Sequence, residues 1–276
     1  MDLKGCIRPV CCIRQDIFLF TFCLLGTKII ANIRKEEGVA MTLEEMIYHR
    51  RSCRSFTNHP VEDALLEKIA AFAPKPLYPE IKVHMEIVSR DKVKCICPWT
   101  TPQLITVYSE EAPGYLENIG FLFQQMDLYL QTLGLGVCWL GMGRMNPKTT
   151  REIAGMKFVI MLAFGYPKGD PLRRNRKDFR RRSMEQITDQ ADPRLEPARL
   201  APSAVNSQPW YFTHAGDTIH VHCSRKGSPL NAGIALAHLY VANMETFQFF
   251  KAGNVAAVPG HSYIGSCRIK PKTEEN

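Results

Sequence analysis

The chain's densest meeting of polar side chains and stiffened backbone is Ala201-Pro202-Ser203-Ala204-Val205-Asn206-Ser207-Gln208-Pro209-Trp210-Tyr211-Phe212. Pro202 and Pro209 fix φ, and Ser203, Asn206, Ser207 and Gln208 crowd hydroxyls and amides into one turn before the apolar run from Trp210. Such a turn can cradle a flat, polar-edged ligand, yet it would serve equally as a capped loop entering a strand. A second cluster, Arg50-Arg51-Ser52-Cys53-Arg54-Ser55-Phe56, sets three guanidiniums and two hydroxyls within six positions. These groups all donate to phosphate oxygens, although a basic helix end is also favoured by the helix dipole. A third run, Arg173, Arg174, Arg176, Lys177, Arg180, Arg181 and Arg182, carries seven cations against Asp170 and Asp178. A solvated loop with a phosphate contact fits it better than nucleic acid, because only Phe179 interleaves aromatic surface.

These clusters need a scaffold, and the periodicities supply one. Thr42 can cap a helix with Glu44 and Glu45 at its positive end and Leu43, Met46 and Ile47 on one face; it delivers the chain to Arg50. Pro60 suits the first turn of a second helix striped by Val61, Leu65, Leu66 and Ile69. Ile81, Val83, Met85 and Ile87 alternate as a half-buried strand, and Leu104–Tyr108 reads as another. A nearly buried helix runs from about Pro113 to Leu133 and stops at Gly134-Leu135-Gly136. Val137-Cys138-Trp139-Leu140-Gly141-Met142-Gly143 follows, and Phe158–Phe164 suits a central strand. Beyond the basic run come a short helix slot at Asp192–Leu200, a strand at Thr218–His222 and a buried helix at Asn231–Ala242. His238, alone in that apolar helix, reads as a core or interface histidine, and the stretch from Lys251 shows little pattern.

Composition is that of a globular chain: 276 residues, 45% hydrophobic and 22% charged, with net charge +8 concentrated in the basic run. The ten cysteines show neither a disulfide framework nor metal spacing; Cys95-Ile96-Cys97 has no second pair, so free thiols and no zinc are expected. Residues 1–40 differ from the rest. The apolar run Ile17–Leu25 after Lys4, Arg8 and Arg14 falls short of the roughly 20 residues that span a bilayer. Lys35-Glu36-Glu37 can be encoded by a purine-rich tract like a bacterial ribosome-binding site, so natural translation is expected to start at Met41. An export signal or membrane tether is the competing reading.

Ala201–Trp210 resembles the signature of the FMN-dependent nitroreductase family, and Arg50-Arg51-Ser52-x-Arg54-x-Phe56 resembles the way its members begin. The resemblance spans about residues 41–270 and implies an α+β nitroreductase-like fold. In that family the arginines come from one subunit and the Ser/Asn cradle from its dimer partner. Here Ala73-Pro74-Lys75-Pro76-Leu77-Tyr78-Pro79-Glu80 stands where the cradle would, and the cradle appears later, after Arg181-Arg182-Ser183. Arg51-Ser52 and Arg182-Ser183 lie 131 positions apart, so two related halves, 41–187 and 188–276, are expected to form an internal pseudo-dimer around buried central helices. Only one cross-half combination has both parts, which implies one FMN in a monomer.

The resemblance assigns the FMN phosphate to Arg50, Arg51, Ser52 and Arg181 or Arg182, with Arg54 reaching toward the ribityl chain or flavin edge. Pro202, Ser203, Ala204 and Asn206 would contact the ring edge or ribityl chain, Gln208 would brace the loop, and Cys138, Trp139, Leu140 and Gly141 would lie along the isoalloxazine. Asn231 stands where the family's single-chain pseudo-dimer branch, which this arrangement resembles, often has Asp, away from these motifs. The implied activity is ping-pong transfer of hydride from NAD(P)H through FMN to a nitroaromatic, quinone or similar acceptor, with no catalytic side chain, since hydride transfer needs alignment more than an acid or base. The alternative is a flavin-binding protein for storage or sensing without significant turnover. A cytoplasmic location, no nucleic-acid partner and no stable membrane insertion complete the expectation.

Overall fold

The alternating and continuous apolar runs become two antiparallel sheets of identical strand order, packed around two helices that cross at bare backbone. The computed structural model describes residues 41–95, 101, 103–147 and 152–270; residues 1–40, with four of the cysteines and the competing readings as an untranslated stretch or an export signal, and Cys97 lie outside the described residues. The elements run α1 (Leu43–Ile47), α2 (Asp63–Ala71), β1 (Val83–Ser89), β2 (Val93–Lys94), β3 (Gln103–Ser109), α3 (Tyr115–Thr132), β4 (Gly136–Leu140), β5 (Arg144–Met145), β6 (Glu152–Ile153) and β7 (Met156–Gly165). Short 3₁₀ turns then lead to α4 (Glu196–Arg199), β8 (Trp210–Ala215), β9 (Thr218–Ser224), α5 (Pro229–Ala242), β10 (Phe247–Phe250) and β11 (His261–Ile269).

The first sheet runs β1-β3-β7-β4, with β6 on β7, and the second runs β8-β9-β11-β10; β2 and β5 form a small separate ribbon. Each four-strand path is laid down as two strands, a core helix, then two more strands, the last of which inserts beside the second. The expected central strand is β7, bonded to β3 on one side and β4 on the other. Among the described residues no helix is long and apolar enough to cross a membrane.

Helices α3 and α5 are buried along most of their length: α5 is apolar nearly all round, while α3 also buries Asn118, Gln124, Gln125, Asp127 and Gln131, each of which finds a hydrogen-bond partner. They touch at Gly120 and Gly233: a Cβ on Gly120 would lie 2.0 Å from the Leu230 carbonyl oxygen, and one on Gly233 would lie 2.0 Å from that of Glu117. The contact is reciprocal, for Glu117 precedes Gly120 by three positions as Leu230 precedes Gly233. Two further pairs share its 113-residue offset. Asn118 Oδ1 accepts from the backbone N–H groups of Leu77 and Tyr78 (2.8 and 3.0 Å), and Asn231 Oδ1 accepts from that of Ala204 (2.9 Å). Gln125 bonds the Lys75 backbone, and His238 bonds the Pro197 carbonyl.

Three local expectations shift. The second helix begins at Asp63 behind an extended Glu62, leaving Pro60 and Val61 in the lead-in, where Val61 is buried and its N–H is held by Gln103. Asn231 does touch the cradle, through Ala204. The stretch after Lys251 contains β11, a strand paired on both edges; its glycine, serines and bulge between Tyr263 and Gly265 break the alternation that would reveal it.

Candidate functional site

The capping box of Thr42 and Glu45 starts α1, and the chain leaves it through Arg50. A parallel bridge between Ser52 and Val137, with Cys53 N–H donating to the Val137 carbonyl (2.8 Å), lays the arginine segment along the outer edge of β4. Arg51 and Arg54 are exposed there. Arg50 is not: its guanidinium is buried against Asp127 of α3, with Nε to Oδ1 at 3.1 Å, and its Nη2 reaches Ser52 Oγ at 3.3 Å. Arg173 joins this group, donating from Nη1 to the Arg50 carbonyl, while its backbone exchanges bonds with His49.

The cradle meets the second arginine pair directly. Arg181 donates to Asn206 Oδ1 and to the carbonyls of Phe179 (3.0 Å) and Leu200 (3.2 Å). Asn206 Nδ2 donates to the Arg180 carbonyl (3.1 Å), and Gln208 Oε1 accepts the Arg182 backbone N–H (2.7 Å). The Arg182 side chain itself is exposed. Gln208 also braces the turn, its N–H on Ser203 Oγ (2.8 Å) and its Nε2 on the Asn206 carbonyl (3.0 Å). Pro202 is buried beneath the turn, while Ala204 and Asn206 are exposed on it. Val205, Asn206 and Gln208 all have positive φ, so the bend is held in a conformation that non-glycine residues seldom adopt.

Phe179, buried between the two basic groups, carries the Arg173 guanidinium 4.4 Å and that of Arg181 5.7 Å from its ring centre. Burial, reinforced by Arg50 and Arg51, pushes Arg173 down to about 10. Burial, reinforced by Arg50, Arg173 and Arg199, pushes Arg181 down to about 9. Two guanidiniums sunk among like charges and bonded to neutral oxygens are poised for an anion, which would relieve both effects. The arrangement fits a phosphate.

Behind the arginines, polar groups cross the core in an order their chemistry dictates. The Trp139 indole, which can only donate, bonds Gln124 Oε1 (3.2 Å), so the Gln124 amide nitrogen faces His238 Nε2 (3.1 Å). The His238 proton therefore sits on Nδ1 and donates to the Pro197 carbonyl (2.9 Å). Burial first, then Arg50, holds this neutral ring's pKa at about 3. Among the described residues no cluster of three or more His, Cys, Asp or Glu could hold a metal ion, and His238 is a bonded core residue.

In β4 the side chains alternate. Trp139 turns toward α3, whereas Cys138 and Leu140 pack with Cys53 and Phe56 in a satellite core, where burial raises the Cys138 thiol to about 11. Gly141 begins the exposed turn after the strand. The structure thus links Arg50 to Arg181 through Arg173 and the Phe179 ring, ties Arg181 to the cradle through Asn206, and leaves Arg51 and Arg54 exposed at the β4 edge. It adds Asp127, Gln124, Gln131 and Asn231, which the residue pattern had not assigned to the site, and singles out Arg173 from the basic run that had been given a phosphate contact. A signal existed: Gln124, Asp127 and Gln131 recur at helical spacing as a polar stripe on an apolar helix.

Residues 42–243 match the family described as "Putative TM nitroreductase". A "putative nitroreductase" of Thermotoga maritima has a solved structure with TM-score 0.61 and 22% identity, covering 88% of this chain and 99% of its own. A nitroreductase family protein of Clostridium difficile 630 is 20% identical with TM-score 0.42, covering 55% of this chain and 100% of its own. An FMN-dependent nitroreductase of Clostridium difficile R20291 is 19% identical with TM-score 0.38, covering 48% and 94%. No curated protein matches the chain.

Proposed function

For a chain that belongs to the Putative TM nitroreductase family, we propose FMN-dependent oxidoreductase activity: NAD(P)H as reductant and a nitroaromatic, quinone or similar small molecule as acceptor, taken in turn at one site. Bound FMN would supply the hydride-accepting and hydride-donating chemistry. The chain's own work is binding and alignment. Arg173 and Arg181, with Arg50, Arg51 and Ser52 beside them, would hold the phosphate. Pro202, Ser203, Ala204 and Asn206 would line the ribityl chain and ring edge, with Arg54 near that edge. Trp139 and the β4 backbone through Gly141 would border the ring, and the neighbouring cations would favour negative charge developing on it.

The observation that carries this reading is the junction of basic cluster and cradle: Arg181 bonds Asn206 and shares the Phe179 ring with Arg173, which in turn bonds Arg50. We read residues 41–187 and 188–276 as halves of an internal pseudo-dimer, a view supported by the identical sheet orders and the reciprocal Gly120/Gly233 contact. The half with Asn118 holds Leu77 and Tyr78 where its counterpart holds the cradle, so one flavin per chain is expected. The test is anaerobic mixing of the purified yellow protein with NADPH or NADH. Rapid bleaching supports the enzyme; an unchanged spectrum leaves a flavin binder for storage or sensing.

A further inference from the structure

Asp127 sets a buried carboxylate against the arginine cluster. It is 0% exposed and Arg50 1%, 77 positions away in the chain. Its Oδ1 accepts from Arg50 Nε (3.1 Å), Gln131 Nε2 (2.7 Å) and, more weakly, Gln124 Nε2 (3.5 Å); Oδ2 faces Arg50 Nη2 at 3.5 Å. The neighbours are themselves fixed from behind. Gln131 Oε1 takes the Arg51 backbone N–H (3.1 Å), and Gln124 is locked between Trp139 and His238. One edge of the Arg50 guanidinium is thereby committed to α3, and among the described residues no hydrogen bond engages Nη1.

A buried ion pair is a poor source of net stability, because desolvating both charges costs about what their attraction returns. It is an effective device for orientation, since a carboxylate accepting along one guanidinium edge fixes the plane of the other. The two halves differ here. At the 113-residue offset Asp127 corresponds to Tyr240, and at the 131-residue offset Arg50 corresponds to Arg181, which is tied by neutral oxygens of Phe179, Leu200 and Asn206. Only the half that keeps the full arginine segment pairs it with a carboxylate from its core helix.

We infer that Asp127 is a positioning residue that aims Arg50 at the flavin phosphate and so sets the site's preference for FMN over riboflavin, an inference that rests on the proposed function. In Asp127→Asn one oxygen is replaced by an amide that donates, so the donors of Arg50 and Gln131 cannot all be satisfied and the guanidinium plane is released. Flavin-stripped protein is titrated with FMN and with riboflavin by fluorescence, and its melting temperature is recorded. The Asn variant is expected to lose about tenfold in FMN affinity with riboflavin affinity little changed, since only one ligand carries the phosphate that Arg50 would meet. Asp127→Glu, which restores the charge, is expected to recover part of the preference. Should the Asn variant not fold, the Glu variant carries the test, with a preference about threefold below wild type as the carboxylate shifts by one methylene. Parallel losses for both flavins, or an unchanged ratio in a folded variant, would show a merely structural pair and overturn the inference. A wild-type protein that binds neither flavin would instead refute the proposed function.

Discussion

Replacing Gly120 or Gly233 with alanine sets two effects of opposite sign against each other. Helix propensity alone rewards the change by about 1 kcal/mol. At the α3–α5 crossing, however, the new methyl would sit 2.0 Å from a carbonyl oxygen, whereas ordinary contact begins at 3.4 Å, so the helices must part by about 1.4 Å. The obstructing atom is helical backbone, which cannot yield by changing rotamer. Overpacking of a tight core costs about 1–3 kcal/mol, and a clash with helical backbone belongs at the upper end, so after the propensity gain each variant should lose a net ~2 kcal/mol, or about 4–8 °C in Tm. Both glycines serve one crossing. Once the first methyl has parted the helices the second meets less resistance, so the double variant should lose clearly less than the two single losses together. Urea denaturation and thermal melts followed by circular dichroism measure this. The same displacement would stretch the Gln124–His238 bond and shift Asn231 beneath the cradle, so FMN affinity should fall in the same variants. A stabilised Gly120→Ala or Gly233→Ala, or strictly additive losses, would refute the close-crossing argument.

Two further outcomes follow from buried or strained groups. Burial, then His220 and His261, holds His222 at about 4, and burial holds His238 at about 3, against 6.5 for an ordinary ring. The unfolded chain therefore takes up protons near pH 6.5 that the native rings refuse, so stability is full above that pH and falls as pH drops toward 4. His222→Gln should flatten this slope by about one proton in urea titrations at several pH values, and an unaltered slope would count against the buried neutral ring. Val205 is 98% exposed at φ 47, a costly conformation for a β-branched residue. Relief of about 1–3 kcal/mol of strain should outweigh glycine's entropy cost of about 0.5–1 kcal/mol, so Val205→Gly should raise stability by about 1 kcal/mol. A lower urea midpoint would show that the bend is not strained at that residue.

Much of the scaffold was legible because it is local. The apolar stretches that became α3, α5, β3 and β7 show themselves within a few turns of chain, and so does the capping box at Thr42. The cradle was legible for the same reason, since its prolines, hydroxyls and amides are sequence neighbours that brace one another. β11 was not, because its consecutive residues Ile264, Gly265, Ser266 and Cys267 are all buried, which removes an alternating face, and its bulge interrupts whatever alternation remains. Arg50 was read as a ligand-facing cation among its neighbours, when a carboxylate on another helix had already claimed one edge of it.

Residue type and short spacing thus determined which groups this chain can offer: guanidiniums for an anion, a rigid amide-rich bend, and two helices apolar enough to be buried. Their partnership was decided only in three dimensions. Whether Arg50 meets Asp127, whether Asn231 supports Ala204, and whether Phe179 lies between Arg173 and Arg181 depend on two helices crossing closely enough to bring distant segments within hydrogen-bond range. Hydrogen bonds and desolvation act over a few ångströms of space regardless of separation along the chain, so no reading of neighbours in sequence could have supplied those pairings.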